Sequence, residues 1–206
     1  MKDNLYIIGF AGIFSTVCAV LLTSAATFTA PYRENNARIE EVLNILTALN
    51  VPLQESDSAA QLLESFKRNV REEKRGEISL YIYASAEEPN QPKAMALRFA
   101  GPGLWGPIEG FLAVDPDGQR IRAITFSRQE ETPGLGGEIA ASWFREQFVG
   151  KAFSREGAPI NFRPPGAELK ANEVHAITGA TMTCDKVETI VNNILTKFIE
   201  ETHGQL

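Results

Sequence analysis

The sequence is poor in the side chains that most often carry chemistry. Its 206 residues include two cysteines, Cys18 and Cys184, and two histidines, His175 and His203. So few ligating groups, so widely spaced, make no zinc pattern and no disulfide framework, and no metal site is expected. No Ser-His-Asp or Cys-His constellation is arranged along the chain. A basic excess is missing too. Lys and Arg number 20 against 26 Asp and Glu, giving a net charge of −6 and a pI near 5.1. An acidic chain without a basic stripe speaks against nucleic acid as a partner. No G-x-G-x-x-G follows a strand and opens a helix, so dinucleotide binding is not expected either. Internal repeats and low-complexity segments are absent.

What is there begins with one long apolar run. Hydrophobic residues make up 44% of the chain and mean hydropathy is −0.13, as for a globular protein with one strongly apolar segment. Residues 4–32 contain no charged side chain. Leu5 to Ala30 would span ~39 Å as a helix at ~1.5 Å per residue, against a hydrocarbon layer of ~30 Å. That predicts a transmembrane helix. A cleaved signal peptide is the competing reading, since Ser24-Ala25-Ala26 offers small residues to a peptidase; the length of the run and the offset of Lys2 by Asp3 weigh against it. Ser15-Thr16-Val17-Cys18 is a poor lipobox, and Cys18 reads as an apolar helix residue. Lys2 at one end and Arg33 and Arg38 at the other give no positive-inside bias.

A helix is predicted over Arg33 to Leu49, with Ile39, Val42, Leu43, Leu46 and Leu49 on one face and a break from the membrane helix near Pro31. Asn50-Val51-Pro52 ends it. A second amphipathic helix runs from Ser58 to Glu73, and the charges from Lys67 to Arg75 read as its solvated face. Strands follow over Glu77–Ala84 and Lys93–Ala100. Ile108–Val114 and Arg120–Phe126 form a hairpin through Asp115-Pro116-Asp117-Gly118-Gln119. A short helix carries Ile139, Trp143, Phe144 and Phe148, and a Pro-rich loop covers Pro159 to Ala167. Helices with short antiparallel strands make an α+β class.

The last helix is the clearest. Val187, Ile190, Val191, Ile194, Leu195 and Phe198 share one face, and Asp185 with Glu188 has the form of a capping box. Thr178-Gly179-Ala180-Thr181 then lies just before a helix N-terminus, where free N–H groups and the macrodipole suit a phosphate. Gly179 and Ala180 keep the approach open. Met182 follows the motif, and Lys186 in the next turn is placed to neutralise a phosphate. Read blandly, the motif is a Gly-containing turn with threonine caps. Gly101-Pro102-Gly103-Leu104-Trp105-Gly106 joins two strands, and Leu104 and Trp105 are placed to cover a flat ring; as a turn alone, it would put Trp105 in the core. Glu131-Thr132-Pro133-Gly134-Leu135-Gly136-Gly137-Glu138 offers backbone groups to a polar ligand edge, with Leu135 on a ring, or else simply starts a helix.

These three segments resemble the FMN-binding domain family. Thr178-Gly179-Ala180-Thr181 is similar to its S/T-G-A-T flavinylation motif, and E-T-P-G-L-G at 131–136 to a second hallmark. The family includes subunits of the Na+-translocating NADH:quinone reductase and of the Rnf electron-transport complex. The resemblance implies FMN joined through a phosphoester to Thr181 by a dedicated flavin transferase. One departure stands out: the family pattern has Asp six residues before that Thr, where this chain has His175. The G-L-W segment and the residues after the apolar run are closer to the quinone-reductase members; the length is closer to the Rnf members. The expected fold is a single N-terminal transmembrane helix (1–32), a helical connecting segment (33–75) and an α+β FMN-binding domain (76–206) with a small antiparallel sheet and flanking helices. The expected setting is a bacterial inner membrane, with the bulk on the periplasmic side among the other subunits of a membrane oxidoreductase. A single-pass sensor or assembly protein with a degenerate flavin domain is the reading from another class.

Overall fold

The computed structural model describes residues 2–202 apart from 55, 86 and 87. His203, read as part of a polar tail, lies outside the described residues. The chain divides into two units, Met1–Glu40 and Glu41–Leu206. Helix α1, Lys2–Ala48, runs through the first into the second. From Tyr6 it is long and apolar enough to cross a membrane, with Ile7, Ile8, Phe10, Ile13, Phe14 and Leu22 all exposed. The expected break near Pro31 is absent, because α1 is continuous with Pro31 inside it. Pro31 brings no N–H to donate to the Thr27 carbonyl. In the turn before it, side-chain donors reach two other carbonyls. The Thr29 hydroxyl donates to the Ala25 carbonyl at 2.9 Å, and the Arg33 guanidinium to that of Ala26 at 3.4 Å.

The end of α1 is a Schellman motif. Asn50 takes φ 55°. Its N–H donates to the Thr47 carbonyl at 3.0 Å, and Val51 N–H reaches back to that of Leu46 at 3.0 Å. That geometry satisfies carbonyls the helix cannot. Helix α2, Ala59–Asn69, starts on a capping box in which Ser58 and Gln61 exchange hydrogen bonds. It ends four residues earlier than the charge pattern predicts. Val70–Arg75 is instead strand β1, the edge of a five-stranded antiparallel sheet. The charges read as a helix face are thus those of an edge strand, where they discourage pairing with another chain.

The sheet is a meander: β2 Ile78–Ser85, β3 Glu88–Pro102, β4 Pro107–Val114 and β5 Ile121–Arg128. Its central strands are buried on both faces, which explains the continuous apolar run Phe111-Leu112-Ala113-Val114. Leu80, Leu97 and Leu112 face one way, into a core with Phe144, Phe148, Val191 and Leu195. On the other face Phe66 packs on Tyr81 and Tyr81 on Phe111, while Thr125 donates to the Asn44 carbonyl at 3.4 Å. After β5 the expected short helix is resolved into 3-10 turns around α3, Ser142–Arg145. Phe144 and Phe148 from this segment are fully buried, whereas Trp143 is half exposed. The Pro-rich loop contains β6, Asn161–Arg163, which pairs in parallel with β7, Glu173–His175. Helix α4, Thr181–Thr202, closes the core.

Gly110 sits at a bulge of β4, where a Cβ would run into the Thr125 carbonyl and the Phe99 ring. A backbone neighbour cannot turn aside as a side chain can. Gly110→Ala is therefore expected to cost about 3 kcal/mol, the upper end for overpacking. Urea denaturation of the full chain in detergent measures it, and a loss under about 1 kcal/mol would contradict the crowding argument.

Candidate functional site

The site forms where three stretches of chain meet at the start of α4. The helix begins at Thr181, not at Asp185. Its first intrahelical bond runs from Cys184 N–H to the Ala180 carbonyl at 3.0 Å. The apolar stripe therefore starts a turn earlier than the aliphatic pattern suggests, with Ala180 and buried Cys184 leading into Val187 and Val191. Asp185 and Glu188 are helix-interior residues and make no capping box. Burial raises the Glu188 carboxyl pKa. Thr181 is the first helical residue and is exposed. It, Met182 and Thr183 contribute N–H groups that lack partners within the helix.

The turn leading in is tight. Gly179 has φ 78°, and Ala180 N–H closes on the Ile177 carbonyl at 3.1 Å. A Cβ at Gly179 would stand 3.3 Å from Leu135 Cδ2. Ile177 N–H donates to Cys184 Sγ at 3.2 Å, tying the turn to the helix behind it. Burial raises the Cys184 thiol pKa.

Glu131, only 5% exposed, connects the three stretches. Its Oε1 accepts from Leu104 N–H at 2.7 Å and Trp105 N–H at 3.2 Å. Its Oε2 accepts from the Thr183 hydroxyl at 2.7 Å. Two glycines make room for this group. A Cβ at Gly103 would lie 2.5 Å from Glu131 Oε1, and one at Gly136 would lie 2.5 Å from Thr183 Oγ1.

The result is a cavity of about 380 Å³ lined by Leu104, Trp105, Glu131, Thr132, Leu135, Gly136, Gly179, Ala180, Thr181, Met182 and Thr183. Its volume lies in the range of cofactor pockets. Leu104, Trp105, Leu135 and Met182 are exposed apolar side chains at its rim. Trp105, 70% exposed, is not in the core as a simple turn would have it. Thr178 is exposed beside the cavity without lining it. Gly134 is a turn tip with φ 73°, also outside the lining. Lys186 lines a separate cleft of about 340 Å³ with Glu77, Arg98 and Lys197 and is not among the residues lining this cavity.

His175 is the last residue of β7. Its N–H donates to Gln147 Oε1 at 2.9 Å, and its carbonyl accepts from Gln147 Nε2 at 3.4 Å. Its own Nε2 is buried without a hydrogen-bond partner among the described residues. Two steps earlier, Glu173 is 3% exposed, with Oε1 accepting from Arg163 Nε at 2.8 Å and Nη2 at 2.6 Å. Lys170 N–H donates to Oε2 at 2.9 Å. Neither this pair nor the Thr183–Glu131 bond could be found from sequence spacing. Thr183 reads there as a helix cap, and its partner stands 52 positions away.

These features define a class. Residues 103–196, which span the G-L-W turn to the body of α4, match the family model of the FMN-binding domain. More particularly, the chain is similar to NqrC, the C subunit of the Na+-translocating NADH-quinone reductase. It is 37% identical to that of Yersinia pestis over 115 residues, 54% of this chain and 43% of the relative. With that of Haemophilus ducreyi the match is 27% over 217 residues, covering 85% and 83% of the two chains. The match to the Yersinia protein thus spans under half of that relative's length. The crystal structure of the Parabacteroides distasonis counterpart has the same fold, at TM-score 0.66 and 24% identity, over 84% of this chain and 94% of that one. Shewanella oneidensis NqrC gives 0.67 at 18%, over 82% and 100%.

The Arg163 guanidinium, helped by the Lys170 N–H, holds the Glu173 carboxyl below the usual carboxylate range. The folded chain therefore stays deprotonated where the unfolded chain has taken up a proton. Stability from this group is full above the ordinary carboxylate pKa and is lost as pH falls through the lowered one. Melting temperature measured from neutral pH downward is expected to fall less steeply in Glu173→Gln, which starts from a lower value. Equal slopes would show that Glu173 does not contribute.

Proposed function

We propose that this chain is the membrane-anchored flavoprotein subunit of a Na+-translocating NADH:quinone oxidoreductase, carrying FMN in a phosphoester to Thr181. The carrying observation is the position of Thr181. Its side chain is exposed, at the first residue of α4, on the lining of a cavity with apolar rim residues. The residues present suit the cofactor. N–H groups and the dipole at the start of α4 favour a phosphate. Gly179 leaves the backbone open to it, and Leu104, Trp105, Leu135 and Met182 offer apolar surface to an isoalloxazine. Bound FMN supplies the capacity to accept and pass on electrons; the protein positions it and sets its environment.

The rest of the reading follows from the class. A flavin outside the cytoplasm has no reservoir to rebind from, so a covalent tether avoids its loss. A flavin transferase forms the bond, and the NADH, quinone and ion sites belong to other subunits. Residues 1–32 serve as the anchor and 33–69 as the connection; the flavin domain, on the periplasmic side, takes in strand β1 at 70–75 as well as the expected 76–206. His175 replaces the Asp of the family pattern, but Gln147 holds the backbone there through both its N–H and its carbonyl.

Co-expression with a flavin transferase tests the attachment. Thr181→Ala is expected to abolish in-gel flavin fluorescence, while Thr178→Ala retains it. The fold is expected to survive, since one exposed hydroxyl at a helix start is worth about 1 kcal/mol or less. Fluorescence that persists in Thr181→Ala would move the bond elsewhere.

The anchor has its own test. The chain is expected to remain in the membrane fraction after carbonate washing, with Leu5 to Ala30 retained in the mature protein. A soluble form beginning near Thr27 would make the segment a signal peptide.

A further inference from the structure

We propose that Glu131 is a positioning residue that also sets the reduction potential of the flavin, making it more negative. The inference rests on the reading of this cavity as the FMN site. Glu131 lines the cavity and is almost wholly removed from solvent. Its carboxylate meets donors from three groups: two backbone N–H groups and one hydroxyl. That is the surrounding a carboxylate asks for, since it only accepts. The three donors come from the G-L-W turn and from α4, so the group joins both to its own loop.

The electrostatic consequence is direct. The reduced form of a flavin carries more electron density than the oxidised form. A fixed anion in the wall, screened little by water, disfavours the reduced form. The N-terminus of α4 acts in the opposite sense. It remains unchanged when Glu131 alone is varied, so the difference isolates the carboxylate.

Two substitutions predict shifts of opposite sign. Glu131→Gln removes the charge but keeps the shape. Its amide oxygen still accepts from Leu104 and Trp105, and its NH2 donates to Thr183 Oγ1. Thr183→Val keeps the branched shape and removes one donor, leaving the anion less offset. The full chain is co-expressed with a flavin transferase and purified in detergent, and covalent loading is read by in-gel fluorescence. The midpoint potential of the loaded protein is then measured by spectroelectrochemistry. Glu131→Gln is expected to move the potential to more positive values and Thr183→Val to more negative ones.

A purely structural role would move both in the same direction or neither, and either result overturns the inference. If Glu131→Gln shows no cooperative melt, the sign of the Thr183→Val shift decides alone, and a positive or zero shift overturns it. A loaded wild type with unmoved variants defeats this inference and spares the FMN reading. A wild type that never becomes fluorescent beside a competent transferase defeats both.

Discussion

A single buried carboxylate joins segments that are distant in the chain. Glu131 receives donors from the turn at 104–105 and from Thr183, and its own N–H donates to Gln129 Oε1 at 2.7 Å. Removing one partner of such a group leaves a polar atom buried and unpaired, which costs about 1–3 kcal/mol and more when the group is charged. The surrounding sequence is fitted to it. Gly103 and Gly136 are glycine because a Cβ at either would occupy space that the carboxylate and the Thr183 hydroxyl already fill. The hallmark segment 131–136 and the G-L-W turn thus depend on one another through a contact that neither shows by itself.

The sheet provides what this joint is built on. The Glu131 loop leaves the end of β5, and the G-L-W turn is the link between β3 and β4. Both sit at the same end of adjacent strands, so their separation is fixed by backbone pairing. Pro102 pairs with Pro107, and Glu109 with Arg128. Helix α4 packs on the same sheet through Ile190, whose side chain occupies the space a Cβ would take at Gly101. Its N-terminus is thereby held in register with the two loops. Rigid elements supply the position, and the loops supply the chemistry.

Much of this is legible in the sequence because it is local. Strands β2 to β5, the hairpin turn, the Asn50 helix stop and the Ser58 helix start each rest on residues within a few positions of one another. The three loops are also visible as unusual composition. What is not legible is non-local. Residues 70–75 carry no apolar periodicity, so nothing in them distinguishes a helix face from an edge strand. Their state is decided by pairing Val70 through Arg75 with Tyr83 through Ile78. Strands β6 and β7 have three residues each and depend on a parallel pairing across the intervening loop. The start of α4 is hidden for a different reason. An aliphatic pattern does not count cysteine and alanine, although Cys184 and Ala180 are buried like the valines that follow.

Correcting that start changes how the two threonines compare. Thr181 and Thr183 are two residues apart, which on an α-helix separates them by about 200°. With the helix beginning at Asp185 they would both lie in flexible approach, and either hydroxyl could be offered to an enzyme. With α4 beginning at Thr181 they project to opposite sides. Thr183 is 2% exposed and donates its proton to Glu131, while Thr181 is exposed. The helix phase therefore separates the two hydroxyls. One hydroxyl is committed to holding the walls together, and the other is left available at the rim. A one-residue slip in the start of α4 would rotate both by about 100° and lose the bond to Glu131 along with the exposure of Thr181.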